Sequence, residues 1–125
     1  MAHNPGFLSL VDAARARVRE VTVDAAATAA ADPARPRVLI DVREDHEWDV
    51  GHPAGAVHLG RGILERDIET VVPDRGAPLA LLCGGGYRSA LAAAVLQDMG
   101  YTDVVSVAGG WKAWVAAGLP VSSGS

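Results

Sequence analysis

The chain contains one cysteine, Cys83, and the residues around it form the stretch best suited to chemistry. Residues 79–82 form an apolar run that ends just before Cys83. Residues 84–86 are all glycine, and a helical pattern follows. Glycine has no Cβ atom, so three in a row let the backbone curl until successive N–H groups face one centre. A helix that begins there adds the positive end of its dipole. The pattern therefore predicts a cradle that favours a thiolate or a small anion attached to it.

A buried structural cysteine followed by a tight turn is the alternative interpretation, since free cysteines often serve as small core residues. The coincidence of a strand end, three glycines, an arginine and a helix start favours the nucleophile. A thiolate that attacks a sulfane sulfur becomes a persulfide, Cys–S–S⁻. Its outer sulfur is also an anion, so the same cradle suits the resting and the loaded forms.

Composition limits the class of protein and its partners. The chain has 125 residues, of which 50% are hydrophobic and 21% charged, as expected for one soluble globular domain. The formal net charge of −4 argues against nucleic acid and anionic membranes as partners. One cysteine cannot form an intramolecular disulfide, and we find neither a signal peptide nor a membrane-spanning stretch. We therefore expect a cytoplasmic protein with an available thiol.

Strand and helix patterns alternate along the chain. The central strand candidates are continuously apolar, which indicates a sheet covered on both faces. We therefore predict an α/β domain with a mostly parallel central sheet of about five strands and helices on both faces. The strands are expected at 21–23, 38–41, 56–59, 79–83 and 104–107, and the helices at 7–18, 24–31, 44–50, 63–72, 89–99 and 110–118.

Parallel topology places the candidate site. Ligands bind beyond the carboxyl ends of such strands, and Asp41, Cys83 and Gly109 all follow a strand, so one pocket is expected to gather them. Ser89 is expected at or near the N-cap of the helix after the glycines. We divide the chain into an amphipathic N-terminal helix extension at 1–20, one domain at 21–121 and a disordered tail at 122–125.

Four separate motifs, in order, resemble the single-domain rhodaneses, a family of sulfurtransferases. The resemblance covers residues 21–121. Its motifs are Asp-Val-Arg at 41–43, Glu-Trp-Asp-Val-Gly-His at 47–52 followed by Gly-Ala-Val-His at 55–58, the loop at 83–89, and Gly-Gly-Trp at 109–111 leading through Trp114 to Gly-Leu-Pro-Val at 118–121.

The resemblance implies a persulfide relay without a metal or cofactor. Cys83 takes sulfane sulfur from a thiosulfate-like donor or a protein persulfide and passes it to a thiol or to cyanide. Arg88 attracts or orients an anionic donor, while the cradle is formed by Gly84, Gly85, Gly86, Tyr87 and Ser89. Two features depart from the family pattern. Pro53 lies one position earlier than usual, and Gly84 stands where thiosulfate-using members often carry a basic residue, so less positive charge faces a dianion.

Other residues receive supporting roles. Arg61 lies in a second strand-end loop and is either a cation at the pocket rim or a solvated surface arginine. Asp41 and Arg43 are expected to hold the architecture, Asp41 by accepting hydrogen bonds from loop amides and Arg43 by pairing with Glu47. The histidines at 46, 52 and 58 lack the spacing of a zinc site.

Two further functions remain open at this point. A phosphatase or arsenate reductase on the same scaffold also uses a cysteine and an arginine, but such phosphatases place one more residue between them. Here only residues 84–87 intervene, and the smaller ring suits one sulfur atom. A non-catalytic sulfur carrier or sensor would have the same loop, and steady turnover of small donors and acceptors would distinguish it from an enzyme.

Overall fold

Five short strands form one parallel sheet in the computed structural model, which describes residues 3–124. The prediction of a mainly parallel sheet of about five strands is confirmed. Across the sheet the strands run in the order β1 (Arg19–Val21), β6 (Val104–Val107), β5 (Leu79–Leu82), β2 (Val38–Asp41) and β4 (Val57–His58).

Helices cover both faces of this sheet, as predicted. On one face α1 (Pro5–Arg15), α4 (Leu64–Val71) and α5 (Tyr87–Asp98) pack over the larger core cluster. On the other face α2 (Val23–Ala30) and α6 (Gly110–Ala116) pack over the smaller cluster. The short helix α3 (Asp45–Val50) follows β2, and a 3-10 turn at Arg61–Ile63 precedes α4. No helix within residues 3–124 is both long enough and apolar enough to cross a membrane.

The alternation of side chains in the central strands explains the two cores. Leu79 and Leu81 of β5 lie in the larger cluster, whereas Ala80 and Leu82 lie in the smaller one. All four side chains are buried, so this strand reads as a continuous apolar run. The pairing of β2 with β5 sets Asp41 beside Leu82, so the residues after these strands emerge at one edge of the sheet.

The start of α5 differs from the expectation. Gly86 is the N-cap, with a left-handed φ of 94°, and the helix begins at Tyr87. Ser89 is therefore in the first turn and not at the cap. Its hydroxyl is free of a capping role, and the helix starts closer to Cys83 than the sequence pattern indicated.

Both ends of the chain also depart from the expected division. The first strand begins at Arg19, two residues before the expected domain boundary. Near the C-terminus β7 (Val121–Ser122) pairs antiparallel with β3 (His52–Pro53), and Gly124 N–H donates to Asp49 O at 2.9 Å. Ser122 and Gly124 therefore make backbone contacts in the segment expected to be a disordered tail, while residues 1, 2 and 125 lie outside the described residues.

Candidate active site

Cys83 follows β5 directly and is only 1% exposed. Its carbonyl accepts a hydrogen bond from Trp111 N–H at 2.7 Å, and the Gly84 carbonyl accepts one from Lys112 N–H at 3.2 Å. These bonds use the free N–H groups at the start of α6 to hold the first residues of the loop. The loop is therefore fixed by two helices, α5 after it and α6 beside it.

Two polar groups lie next to the sulfur. Gly86 N–H donates to Cys83 Sγ at 3.1 Å, and Ser89 Oγ accepts a hydrogen bond from the Cys83 thiol at 3.5 Å. The N-terminus of α5 begins at the next residue, and its dipole favours negative charge there. Gly84 and Gly85 N–H groups make no hydrogen bond to Sγ among the described residues. The expected ring of several amides is thus one amide and one hydroxyl around the resting sulfur.

Behind Ser89 lies a second hydroxyl that the sequence analysis missed. Ser106 Oγ is 2.8 Å from Ser89 Oγ, and both residues are fully buried. Each hydroxyl can donate one hydrogen bond, so the Ser106 hydroxyl is a buried hydrogen-bond partner for Ser89, which itself faces the sulfur. The available signal was a serine at the third position of the otherwise all-valine strand β6, since a buried hydroxyl in such a strand requires a partner.

Two glycines are required by the closeness of this packing. Gly86 has a φ that side chains rarely adopt, and a Cβ there would lie 3.1 Å from Gly109 N. At Gly110, with φ of 54°, a Cβ would collide with the carbonyl of Cys83. The beginning of α6 therefore lies directly against the backbone of the loop.

Arg88 is engaged in an ion pair across the cleft. Its guanidinium nitrogens lie 3.1 and 3.2 Å from the two carboxylate oxygens of Glu47. The hydrogen bond from Arg88 lowers the pKa of Glu47, and the same bond raises the pKa of Arg88, so both groups are charged at neutral pH. Glu47 was not predicted as a site residue, and its expected pairing with Arg43 is wrong.

Arg43 pairs with Asp41 in the interior. The two residues are 2% and 0% exposed, and Arg43 Nη2 lies 2.8 Å from Asp41 Oδ2. Arg43 also donates to Gly51 O at 2.6 Å and lies 4.7 Å from the ring centroid of Trp111. Asp41 accepts hydrogen bonds from the backbone and side chain of Arg43, not from amides of the Cys83 loop. Neither residue lines the cleft at Cys83, in contrast to the expected gathering of Asp41 with Cys83 and Gly109.

Arg61 also lies away from the cleft. Its guanidinium is 2.6 Å from the carboxylate of Glu65, one turn further along the chain. Of the two interpretations offered for this residue, a surface arginine agrees with this placement.

A cleft of about 770 Å³ opens at Cys83. The loop contributes Gly84, Gly85, Tyr87 and Arg88 to the walls of this cleft. Four residues that the sequence analysis did not assign to the site complete the walls: His3 and Phe7 from the N-terminal segment, Glu47 from α3, and Lys112 from α6. They come from distant parts of the chain, and no local pattern linked them to Cys83.

The histidines have other partners. A ring nitrogen of His52 lies 2.9 Å from Trp48 O, and one of His58 lies 2.9 Å from Arg43 O. Both rings stack on the indole of Trp48. Within residues 3–124, no three His, Cys, Asp or Glu side chains are grouped as metal ligands would be.

Comparisons with known proteins agree with this geometry. Thiosulfate sulfurtransferase GlpE of Actinobacillus pleuropneumoniae is 33% identical over 85 residues, which make up 68% of this chain and 77% of that protein. The polysulfide-sulfur transferase homodimer of Wolinella succinogenes superposes with a TM-score of 0.80 at 29% identity, covering 94% of this chain and 88% of that one.

A third similar structure has a less defined description. Protein RPA3614 of Rhodopseudomonas palustris, described as of unknown function and a possible tyrosine phosphatase, gives a TM-score of 0.86 at 29% identity over 98% of both chains.

The family model of the rhodanese-like domain matches residues 23–117, a span that contains Cys83, its loop and every strand of the parallel sheet except β1. The chain therefore belongs to the rhodanese-like domain family.

Proposed function

We propose that this protein is a sulfurtransferase that carries sulfane sulfur on Cys83. The observation that carries the proposal is the Cys83 sulfur beside the Gly86 N–H, at the start of α5 and at the foot of a cleft. Membership of the rhodanese-like family and the sulfurtransferase names of its relatives support it. The chemistry is a nucleophilic displacement at sulfur followed by a second displacement that regenerates the thiolate.

With thiosulfate as the donor, the Cys83 thiolate attacks the outer sulfur of S₂O₃²⁻. The new S–S bond forms as the old one breaks, and sulfite leaves with the electron pair, giving Cys83–S–S⁻ and SO₃²⁻. Cyanide or a thiolate then attacks the outer sulfur. Cyanide yields thiocyanate and the original Cys83 thiolate, with no net change in charge and no external oxidant.

The charges around the cleft suggest which donors it accepts. Arg88 forms an ion pair with Glu47, and both residues line the cleft. Position 84 is a glycine and adds no charge. A Cβ at Gly84 would lie 3.2 Å from Arg88 Nη2, so a long basic side chain there would crowd the guanidinium. Lys112 lines the cleft and makes no ion pair with any carboxylate in residues 3–124. One uncompensated cation suits singly charged donors, such as a persulfide, better than the thiosulfate dianion.

A phosphatase is the second candidate, because the Rhodopseudomonas palustris structure is described as a possible tyrosine phosphatase. Phosphoryl chemistry requires an arginine that is free to bind the oxyanion. Here Arg88 binds the Glu47 carboxylate, which would repel a phosphate ester. The short loop and this ion pair therefore favour sulfur transfer.

Intact-mass analysis after incubation with thiosulfate, and separately with a singly charged organic thiosulfonate, tests the proposal. We expect a gain of one sulfur, about 32 Da, that cyanide or a reductant removes, because both attack the outer sulfur of a persulfide. Cys83→Ser should gain nothing. Continuous thiocyanate production would distinguish an enzyme from a carrier. If neither donor gives an adduct, the assignment is refuted.

A further inference from the structure

The N-terminal segment forms part of the cleft although it lies outside residues 23–117, which the family model matches. His3 and Phe7 both line the cleft. The centroid of the His3 ring is 4.4 Å from that of Tyr87, and the Phe7 ring lies 6.1 Å from Tyr87 at an interplanar angle of 15°. His3, Phe7 and Tyr87 therefore form a continuous aromatic wall beside Cys83.

The remainder of α1 holds this wall in place. Val11 and Ala14 of α1 are buried, and α1 packs along α5. Arg17, just beyond α1, lies 2.6 Å from the Asp98 carboxylate at the end of α5. The guanidinium of Arg15 lies 4.7 Å from the centroid of the Tyr87 ring, which is within the distance of a cation–π contact. The aromatic wall is thus part of the packed domain.

The cleft is larger and more apolar on one side than an inorganic donor requires. A volume of about 770 Å³ is within the range of clefts that hold drug-sized organic molecules. Aromatic rings contribute apolar area and favour a flat ring placed against them, whereas sulfite and thiosulfate are small and strongly hydrated. Lys112 also lines this cleft, and a lysine side chain favours an anionic group. An apolar ring attached to a singly charged sulfur group matches both features.

We propose that the aromatic wall makes this protein selective for organic thiosulfonates and related sulfane donors that carry an aryl group. The inference rests on the proposed function and specifies its donor class. The Cys83 thiolate attacks the outer sulfur of R–SO₂–S⁻, the S–S bond of the donor breaks, and the sulfinate R–SO₂⁻ leaves with the electron pair. Cys83–S–S⁻ remains, so charge and electrons balance without an oxidant.

The test compares benzenethiosulfonate, methanethiosulfonate and thiosulfate as donors, with cyanide as the acceptor and thiocyanate as the common product. The variants are Phe7→Ala, Phe7→Tyr, which keeps an aromatic ring, and the control Leu10→Ala on an exposed part of α1. The ratio of kcat/KM for the benzene and methane donors is compared between variants, which cancels the intrinsic difference in donor reactivity.

We expect Phe7→Ala to lower this ratio by about fivefold to tenfold, the effect of losing one aromatic contact. Thiosulfate kcat/KM should change by less than about twofold, since a hydrated ion gains little from the wall. Phe7→Tyr and Leu10→Ala should retain the wild-type ratio. An unchanged ratio in Phe7→Ala, or an equal loss with all three donors, overturns the inference while leaving sulfur transfer intact. Absence of thiocyanate from every donor with the wild-type protein refutes the proposed function itself, and the inference with it.

Discussion

At the scale of the residue, the pairing of side chains determines the charge that a donor meets at Cys83. Arg88 lies in the cleft where the sequence pattern placed it, but Glu47 binds it through both carboxylate oxygens. Only about a third of each side chain is exposed, so the pair is screened less than a surface pair. Arg88 therefore contributes less attraction for an anion than its charge alone indicates, and we expect the Glu47 carboxylate to act as an electrostatic filter against dianions.

Glu47→Gln tests this filter. The amide retains an oxygen that can accept the Glu44 N–H, as Glu47 does at 3.0 Å, so the start of α3 should persist. Removing one negative charge near the donor should raise kcat/KM for thiosulfate by about fivefold. A singly charged thiosulfonate should gain less, and a neutral organic trisulfide should gain nothing. An equal gain for the neutral donor would show that the variant loosens the site instead of changing its charge.

At the scale of the element, two helix N-termini converge on one loop. Gly86 ends the loop and begins α5, while the first N–H groups of α6 hold the carbonyls of Cys83 and Gly84. This arrangement satisfies donors that a helix start leaves free and fixes the backbone around the nucleophile. The approach of α6 is possible only because Gly110 has no side chain.

Gly110→Ala measures how much the contact of α6 with the loop matters. The added Cβ would collide with the Cys83 carbonyl, and the left-handed φ adds strain, so the free energy of unfolding should fall by about 2 kcal/mol or more. Sulfur transfer should fall as well, because the loop must move. Urea unfolding and thiocyanate production measure the two effects. Gly62→Ala is the matched control, since a Cβ there meets open space; comparable losses in both variants would contradict the argument.

At the scale of the whole molecule, a buried ion pair connects the sheet to the segments around the site. Arg43 joins Asp41 at the end of β2 to the carbonyl of Gly51 and to the indole of Trp111 in α6. The pair is far more buried than the other ion pairs of residues 3–124, and its removal would leave a charge without a partner.

Asp41→Asn should therefore destabilise the fold by about 3–5 kcal/mol, as expected when one partner of a buried pair is lost. Chemical denaturation monitored by tryptophan fluorescence is the measurement, since Trp111 touches Arg43. Asp98→Asn removes the partner of Arg17 in an exposed pair and should change stability little. If both variants unfold at the wild-type denaturant concentration, the Asp41–Arg43 pair does not hold the architecture.

The local sequence predicted much of the fold because local rules govern it. The bounds of β2 and β6 were predicted as observed, since each is a short apolar run whose residues pack on both sheet faces. The start of α5 was misplaced by two residues because glycine in the left-handed conformation served as the cap in place of Ser89. The pairing of β3 with β7 was missed, since two-residue strands carry no periodicity.

The sequence by itself determined the order of the helices and of the parallel strands, the nucleophile and the glycine loop, because strand burial, helix starts and positive φ angles depend on neighbouring residues. Only the tertiary structure decided that Arg88 pairs with Glu47, that Ser106 supports Ser89 and that Phe7 reaches the cleft. These contacts join positions far apart in the chain, and their partners are chosen by packing geometry. The charge around Cys83 and its expected selectivity therefore depend on the folded arrangement, whereas the local sequence of the loop is enough to predict sulfur chemistry.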